Sequence, residues 1–486
     1  MKGFLCQIKH CTCNKKPAGK LNILFNITTM RLLTKFSVIA TLCAGVTLTT
    51  SCGDDNNSNE PDPDPVTPET PSQSQALSPV EQKKYLEDAA IEFMDQLDSD
   101  DFKDLADFGQ YISDKYGDYD FDNVSQWAED IFDSLTENLN TTTKEKDEYG
   151  GTYYYNNYKA IVMASNFHSH FTASNNSWKR TDANDLQFIF KDENAQECVL
   201  KLETSGSVSK VHVCNIDDWY DYDYGYENGD YYYTDYYDRT QLTIGVPEKI
   251  SVTLTRGSKT ILNTIVNIDL SSISNEEFDL SKSELNVSMS TELDNGYKFI
   301  LNQASYSSSK VSASCTITKN GSTLVSSIAS SDINDVPALK LTESFDEVED
   351  NEDMNATNVY AKLDILGKVQ LQGTLSDIRK FVEYLDEADN NDDRESVFKS
   401  YLNQANALAD INLFYDGKSV KQATVSFEAF EDYSYGGTTY WTAEPIITFY
   451  DGSSYSTFEA FFNDVDFKKT INTFENLIDA YENLLN

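Results

Sequence analysis

Only three histidines, His168, His170 and His212, lie beyond residue 51, so any serine or cysteine triad must draw its base from them. No G-x-S-x-G sequence accompanies them, and no glycine-rich phosphate loop is present. His168-Ser169-His170 is the best metal pair, because alternate residues of a strand point the same way and two imidazoles could share a cation. Phe167 and Phe171 flank it and no third ligand stands at a recognisable spacing, so both are expected as polar histidines on a strand or loop edge. "DNNDDRESVFKS" from Asp389 offers ligands at the first, third and fifth positions of an EF-hand loop. Arg394 stands where that loop needs glycine and Ser400 where it needs a bidentate glutamate, so a helix-to-helix turn capped by Asp392 or Asp393 is expected instead. With 80 acidic residues, any carboxylate pair chosen for glycoside hydrolysis would be arbitrary. The expectation is no metal, no cofactor and no catalytic residue.

Aromatic residues are the remaining chemistry. "DDWYDYDYGYENGDYYYTDYYDR", Asp217 to Arg239, holds nine tyrosines, one tryptophan and eight carboxylates in 23 residues. "EYGGTYYYNNY" (Glu148 to Tyr158) and "SYGGTTYW" (Ser434 to Trp441) are also tyrosine-rich and share Y-G-G-T. Tyr and Trp combine a flat apolar face with a polar handle, which suits sugar rings and protein surfaces, although a strand tyrosine more often packs half-buried on its own sheet. From Tyr220 to Glu227 the pattern alternates, with Tyr220, Tyr222, Tyr224 and Tyr226 on one side and Asp221, Asp223 and Glu227 on the other. Asn228-Gly229 is a strong two-residue hairpin signal. It sets Tyr226 opposite Tyr231, Tyr224 opposite Tyr233 and Tyr220 opposite Tyr237, and continuing downward pairs Val213 with Ile244 and Val211 with Val246. Without a bulge the tyrosine ladder then faces away from the core. Trp219, Tyr220, Tyr222, Tyr224, Tyr226, Tyr231, Tyr233 and Tyr237 are the candidate ligand-binding residues of an arm that is acidic on one side and aromatic on the other.

Secondary-structure periods supply the frame for this arm. Residues 79–140 carry apolar positions at three and four spacing (Leu86, Ala89, Phe93, then Phe102 and Phe108, then Trp127, Ile131 and Leu135), which predicts three helices, with Asp122, Asn123 or Ser125 capping the last. Over 150–373 the period becomes two, and turn pairs recur at Gly206-Ser207, Gly257-Ser258, Asn295-Gly296 and Asn320-Gly321. "SVTLTRGSKTILNTIVNID" at Ser251 and "SCTITKNGSTLVSSIASSD" at Ser314 echo each other as two hairpins. Glu343 to Asn358 is expected as a solvated acidic loop. Residues 374–486 mix both periods, with helices at Leu375 to Glu387 and Glu395 to Leu408, strands near Leu413, Val425 and Ile446, and a final helix carrying Phe458, Phe461, Phe462, Phe467 and Ile471. The fold class is α+β, a long antiparallel β-meander with helices from both ends of the chain. A hairpin at Gly206-Ser207 would set Leu202 opposite Val211 and put Cys198 and Cys214 on opposite faces as free thiols.

Charge bounds the partners. Residues 1–51 contain seven basic groups and no acid, so beyond Ser51 there remain 31 basic against 80 acidic groups, a balance of −49. Such a field repels nucleic acid and anionic headgroups. The basic start, Met30 to Lys35, precedes an apolar stretch "FSVIATLCAGVTL" and the small residues Thr49-Thr50-Ser51 before Cys52. This resembles the signal peptide and lipobox of bacterial lipoproteins, in the looser form of Bacteroidetes-type surface lipoproteins, since Thr49 stands where the strict pattern has leucine. The resemblance covers only Met30 to Asp55. It implies translation from Met30, with 1–29 an upstream extension, cleavage after Ser51 within the 30–51 signal, and lipid on Cys52. Gly53-Asp54-Asp55 is similar to the acidic export signal of surface lipoproteins, which implies an outer-membrane protein facing the cell exterior, with the periplasmic side as the alternative. The segment 52–78 holds five of the ten prolines, with a sixth, Pro79, just past its boundary, and few apolar groups, and is expected as an extended tether.

The expected function is a non-enzymatic binding or structural role at the cell surface. Partners are the membrane through the lipid anchor, an extracellular glycan or protein at the tyrosine-rich face, and no nucleic acid. One alternative is a carrier of an apolar ligand beneath a helix-covered curved sheet; the other is a hydrolase.

Overall fold

The structure, a computed structural model, describes residues 76–146, 151–227, 230–341, 355–450, 453–455, 461 and 467–485. The signal, Cys52, the tether up to residue 75, the Asn228-Gly229 turn, most of the acidic loop, Phe458 and Phe462 lie outside the described residues, as do the side chains of Tyr226 and Tyr231.

Helix α1 (Pro79–Asp95) begins at a capping box: Ser78 Oγ accepts from the Glu81 amide while the Glu81 carboxylate accepts from the Ser78 amide, with proline in the first turn. A short 3-10 turn at Ser99–Phe102 separates it from α2 (Lys103–Tyr116) and α3 (Asp122–Leu135). None of the three expected residues caps α3. Phe121 occupies the cap, and the Asp120 carboxylate accepts the Asp122 amide hydrogen at 2.8 Å. The helical pattern stops at Leu135, where the chain passes directly into strand β1 (Thr136–Lys146). β2 (Thr152–Met163), β3 (Ser169–Ser174), β4 (Ser177–Thr181) and β5 (Leu186–Lys191) follow.

Two very long strands come next, β6 (Glu197–Glu227) and β7 (Asp230–Arg256). The meander continues through β8 (Lys259–Ser271), β9 (Glu284–Leu293), β10 (Tyr297–Tyr306), β11 (Lys310–Lys319), β12 (Ser322–Asn334), β13 (Asn355–Ile365) and β14 (Val369–Asp377). Helices α4 (Ile378–Asp389) and α5 (Glu395–Asn406) cross over to β15 (Ala409–Tyr415), β16 (Ala423–Tyr435), β17 (Thr438–Phe449) and β18 (Ser454–Tyr455), and α6 (Lys468–Leu485) ends the chain. α5 takes no cap from Asp392 or Asp393; Arg394 stands at its start, and the Asn391 amide closes the preceding turn on the Glu387 carbonyl at 2.7 Å.

Among the described residues all strands belong to one 18-stranded sheet, so the fold is α+β with a long, mostly antiparallel meander. Each strand from β6 to β18 pairs with the next, and β14–β15 pairing carries the sheet past residue 373. Two pairings are parallel, β3 with β5 and β2 with the outer half of β7. Alternate turns, at Gly257, Gly296, Gly321, Gly367 and Gly417, lie on one rim, each at positive φ as such tight turns require. Helices α1 and α2 follow that rim: Leu77 N–H donates to Gln422, Tyr297 Oη to the Gln96 carbonyl, and Arg256 faces Asp104. The tips of β6–β7 and β16–β17 lie on the opposite rim.

Among the described residues, the six helices all pack on one face, here the inner face. α2 and α3 bury Phe108, Trp127 and Ala128 against Phe171, Trp178 and Phe190; α1 and α6 close on Phe449 and Ala423; α4 and α5 close on Phe427 and Trp441. Phe171 is fully buried between Trp127 and Phe188, with centroids at 5.1 and 5.2 Å, and truncating such a ring costs about 3–5 kcal/mol. A further core joins Leu242, Ile244 and Val246 of β7 to Phe278, Leu285, Tyr306 and Val311.

The Gly206-Ser207 hairpin does not form. β6 runs straight through that pair as a bulge, so Leu202 faces Val252 rather than Val211. Gly206 takes φ +88° there, and a β-carbon would meet Glu248 at 2.4 Å. Cys198 and Cys214 are free, but not because they occupy opposite faces: both join inner-face cores, sixteen positions apart on one strand. Bulges also correct the upper register. Val211 pairs with Ile244 rather than Val246, and Val213 is the extra residue between His212 and Cys214.

Candidate functional site

The outer half of β6 and β7 forms a ribbon, braced by β2 beside β7 and β1 beside β2. Tyr224 pairs with Tyr233 and Tyr226 with Tyr231, as expected. Tyr220 does not pair with Tyr237, because it is the extra residue of a bulge between Trp219 and Asp221, and Trp219 takes that partner. The parity of β6 thus flips at Val213 and again at Tyr220. Two flips cancel, so Tyr222 and Tyr224 lie on the face opposite Val211, Leu242 and Ile244, away from the core.

Trp219, Tyr222 and Tyr224 form a run of near-parallel rings on this outer face, with successive centroids 5.8 Å apart and interplanar angles of 22° and 9°. They are 52%, 55% and 72% exposed. Trp219 Nε1–H donates to Asp235 at 3.4 Å. Tyr233 stands beside them and meets Tyr153 of β2 edge to face, with the two hydroxyls 2.9 Å apart. Gly151 lies beneath Tyr233: a β-carbon there would sit 2.1 Å from the phenol ring, so only glycine leaves that ring in place.

Arg239 fixes the base of the ladder. Its guanidinium donates to both Asp217 oxygens at 2.8 Å and to Glu145 at 2.6 Å, and lies over the Tyr155 ring at 3.5 Å. One side chain thereby ties four strands, β1, β2, β6 and β7. The Asp217 hydrogen bonds, then Glu145, hold the guanidinium well above its ordinary pKa, and burial pushes the Tyr155 phenol up to about 12. Tyr237 stacks on Tyr155 at 5.3 Å and is half-buried, its phenol also pushed up by burial.

The arm is not acidic on one side and aromatic on the other. Tyr220 turns to the inner face, where it meets Tyr236, which stacks on Tyr154 at 5.5 Å. Asp217 and Asp235 share the outer face with the ladder. Of the candidate residues, Trp219, Tyr222, Tyr224, Tyr233 and Tyr237 come together and Tyr220 does not. Tyr153, Tyr155, Gly151 and Arg239 were not among the sequence candidates. Only the tyrosine richness of the Glu148 segment hinted at the first three, and nothing singled out Arg239 at the end of the arm stretch, because a parallel pairing between distant strands leaves no local signal.

The other chemistry resolves into structural contacts. His168 is exposed in the loop before β3, whereas His170 lies on the strand and bonds Asp185 at 2.6 Å. Ser169 is buried and its hydroxyl accepts from Arg180. His212 faces Glu277 and Asn215. Among the described residues no group of three His, Cys, Asp or Glu side chains could hold a metal ion, and no helix is long and apolar enough to cross a membrane. No protein-family model matches the chain, and neither the curated proteins nor the solved structures contain a significant match to it.

Proposed function

We propose that this chain is an exported, lipid-anchored, non-enzymatic binding protein that presents the outer-face ladder of its β6–β7 arm to an extracellular glycan. The carrying observation is the exposed, near-parallel run Trp219–Tyr222–Tyr224. Such rings offer apolar faces to the C–H surfaces of sugar rings, while neighbouring phenols donate or accept hydrogen bonds and carboxylates accept them. Rigidity supports the reading, since ordering a loose loop on binding would offset part of the affinity, and Arg239 already fixes the four strands. Lipid attachment at Cys52 and surface display rest on the Met30 to Asp55 segment alone.

A glycan array with the Cys52→Ser chain tests this, against the same chain carrying Trp219→Ala, Tyr222→Ala and Tyr224→Ala. The parent should bind a defined set of glycans, and the triple variant should lose at least tenfold in affinity for each. A triple variant that binds like the parent would remove the ladder from the function. A parent that binds nothing removes the glycan.

A further inference from the structure

A second tyrosine cluster shares the face and the rim of the first. Trp441 packs on the inner face with Ala388 and Phe398 of α4 and α5, so Tyr440, its neighbour on β17, points outward. Tyr433 pairs with Tyr440 because β16 bulges between Glu431 and Tyr433, which turns Tyr433 and then Tyr435 to the outer face. The Tyr433 and Tyr440 rings stack at 4.5 Å and 9°, and Tyr433 and Tyr435 are 52% and 77% exposed. Gly436 and Gly437, both at positive φ, make the turn that projects them. β7 and β16 are nine strands apart in the hydrogen-bonded order, which at about 4.8 Å per strand is about 43 Å along the sheet. A single sugar cannot touch both clusters.

We infer that the β16–β17 tip is a second contact for the glycan proposed above, and that this glycan is an extended, uncharged polysaccharide. The inference rests on the glycan reading of the arm. Charge selects the uncharged class: the balance of −49 beyond Ser51 repels sulfated and uronic-acid polymers, and Asp217 and Asp235 stand on the ladder's own face. Each cluster alone offers a few rings and weak affinity. Two clusters fixed on one sheet make the second contact intramolecular, which raises affinity for a chain long enough to reach both and leaves short oligosaccharides unaffected.

Affinity electrophoresis separates the possibilities, with the Cys52→Ser chain run through gels containing mannan, xylan, β-glucan or heparin. Tyr433→Ala/Tyr435→Ala is compared with the arm triple variant, and Tyr435→Ala alone repeats the comparison at a highly exposed ring. Titration with a tetrasaccharide of the retarding polymer gives the short-ligand affinity. A neutral polymer should retard the parent and heparin should not. The tip variant should lose tenfold or more in polymer affinity while keeping the parent's tetrasaccharide affinity. Should the tip variants be retarded like the parent while the arm variant is not, the second contact is refuted and the glycan reading stands. Retardation by heparin overturns the uncharged ligand. Retardation by no polymer, with no array binding, overturns both readings together.

Discussion

Asp185 shows what one carboxylate does for the sheet away from the arm. It accepts from the Gln187 amide and then from the His170 ring, and Lys201 stands 3.4 Å away, so its carboxyl is held down to about 2. A depressed folded-state pKa contributes stability above the unfolded value near 3.9, and that contribution is lost as pH falls toward 2. Asp185→Asn should therefore lower stability by about 1–2 kcal/mol at pH 6, and the gap to the parent should close between pH 4 and pH 2. Denaturant titrations at several pH values measure it. A gap that does not change over that window would assign the loss to packing rather than charge. Sequence patterning anticipated His170 as a polar histidine on a strand. Its partner fifteen residues away was illegible, since the β3–β5 pairing that delivers Asp185 is parallel and reaches across β4.

At the level of elements, the face a residue occupies depended on bulges more than on alternation. The outward direction of Tyr222 and Tyr224 was legible from the two-residue period, but only because the bulges at Val213 and Tyr220 compensate each other. Gly206-Ser207 misled for a related reason: Gly-Ser is a favoured hairpin pair, and only the 27-residue partner β7 keeps β6 extended through it. All three irregularities lie on β6, whose second edge pairs with β5 only through Leu202, and bulges on such an edge discourage pairing with another chain. A deletion tests the bulge assignment. Removing Tyr220 restores regular pairing and leaves Trp219 opposite Tyr237 and Tyr222 opposite Asp235, so the ladder survives. The variant should fold with a melting temperature within a few degrees of the parent and keep its glycan-array profile. Loss of the profile with the fold intact would mean that Tyr220 itself belongs to the binding face.

Across the whole molecule, the described body begins at one rim of the sheet and the aromatic tips stand at the other. Leu77 is docked on Gln422, and Gln82, fully buried, donates to the Gln422 carbonyl and accepts from Tyr415, so the start of α1 is fixed beside the β15–β16 turn. From the same rim, β7 runs 27 residues to the arm tip, on the order of 85 Å along the strand. On the lipid-anchored reading proposed above, the segment between Cys52 and α1 is the spacer between a membrane and the body, and its length sets how freely the body turns. On that reading, a shortened tether would force the helix rim toward the bilayer and the arm away from it. Deleting residues 56–72 should therefore change labelling on intact cells in a site-specific way. In a Cys315→Ser background, a bulky membrane-impermeant maleimide should label both Tyr224→Cys and Lys84→Cys with the full tether, since both positions are largely exposed. With the short tether Tyr224→Cys should still label and Lys84→Cys should become protected. Protection of both positions at full tether length would place the protein inside the outer membrane and remove surface display. Equal labelling of both on the short tether would show instead that the helix rim does not face the bilayer, and the arm would then have no privileged direction toward an external ligand.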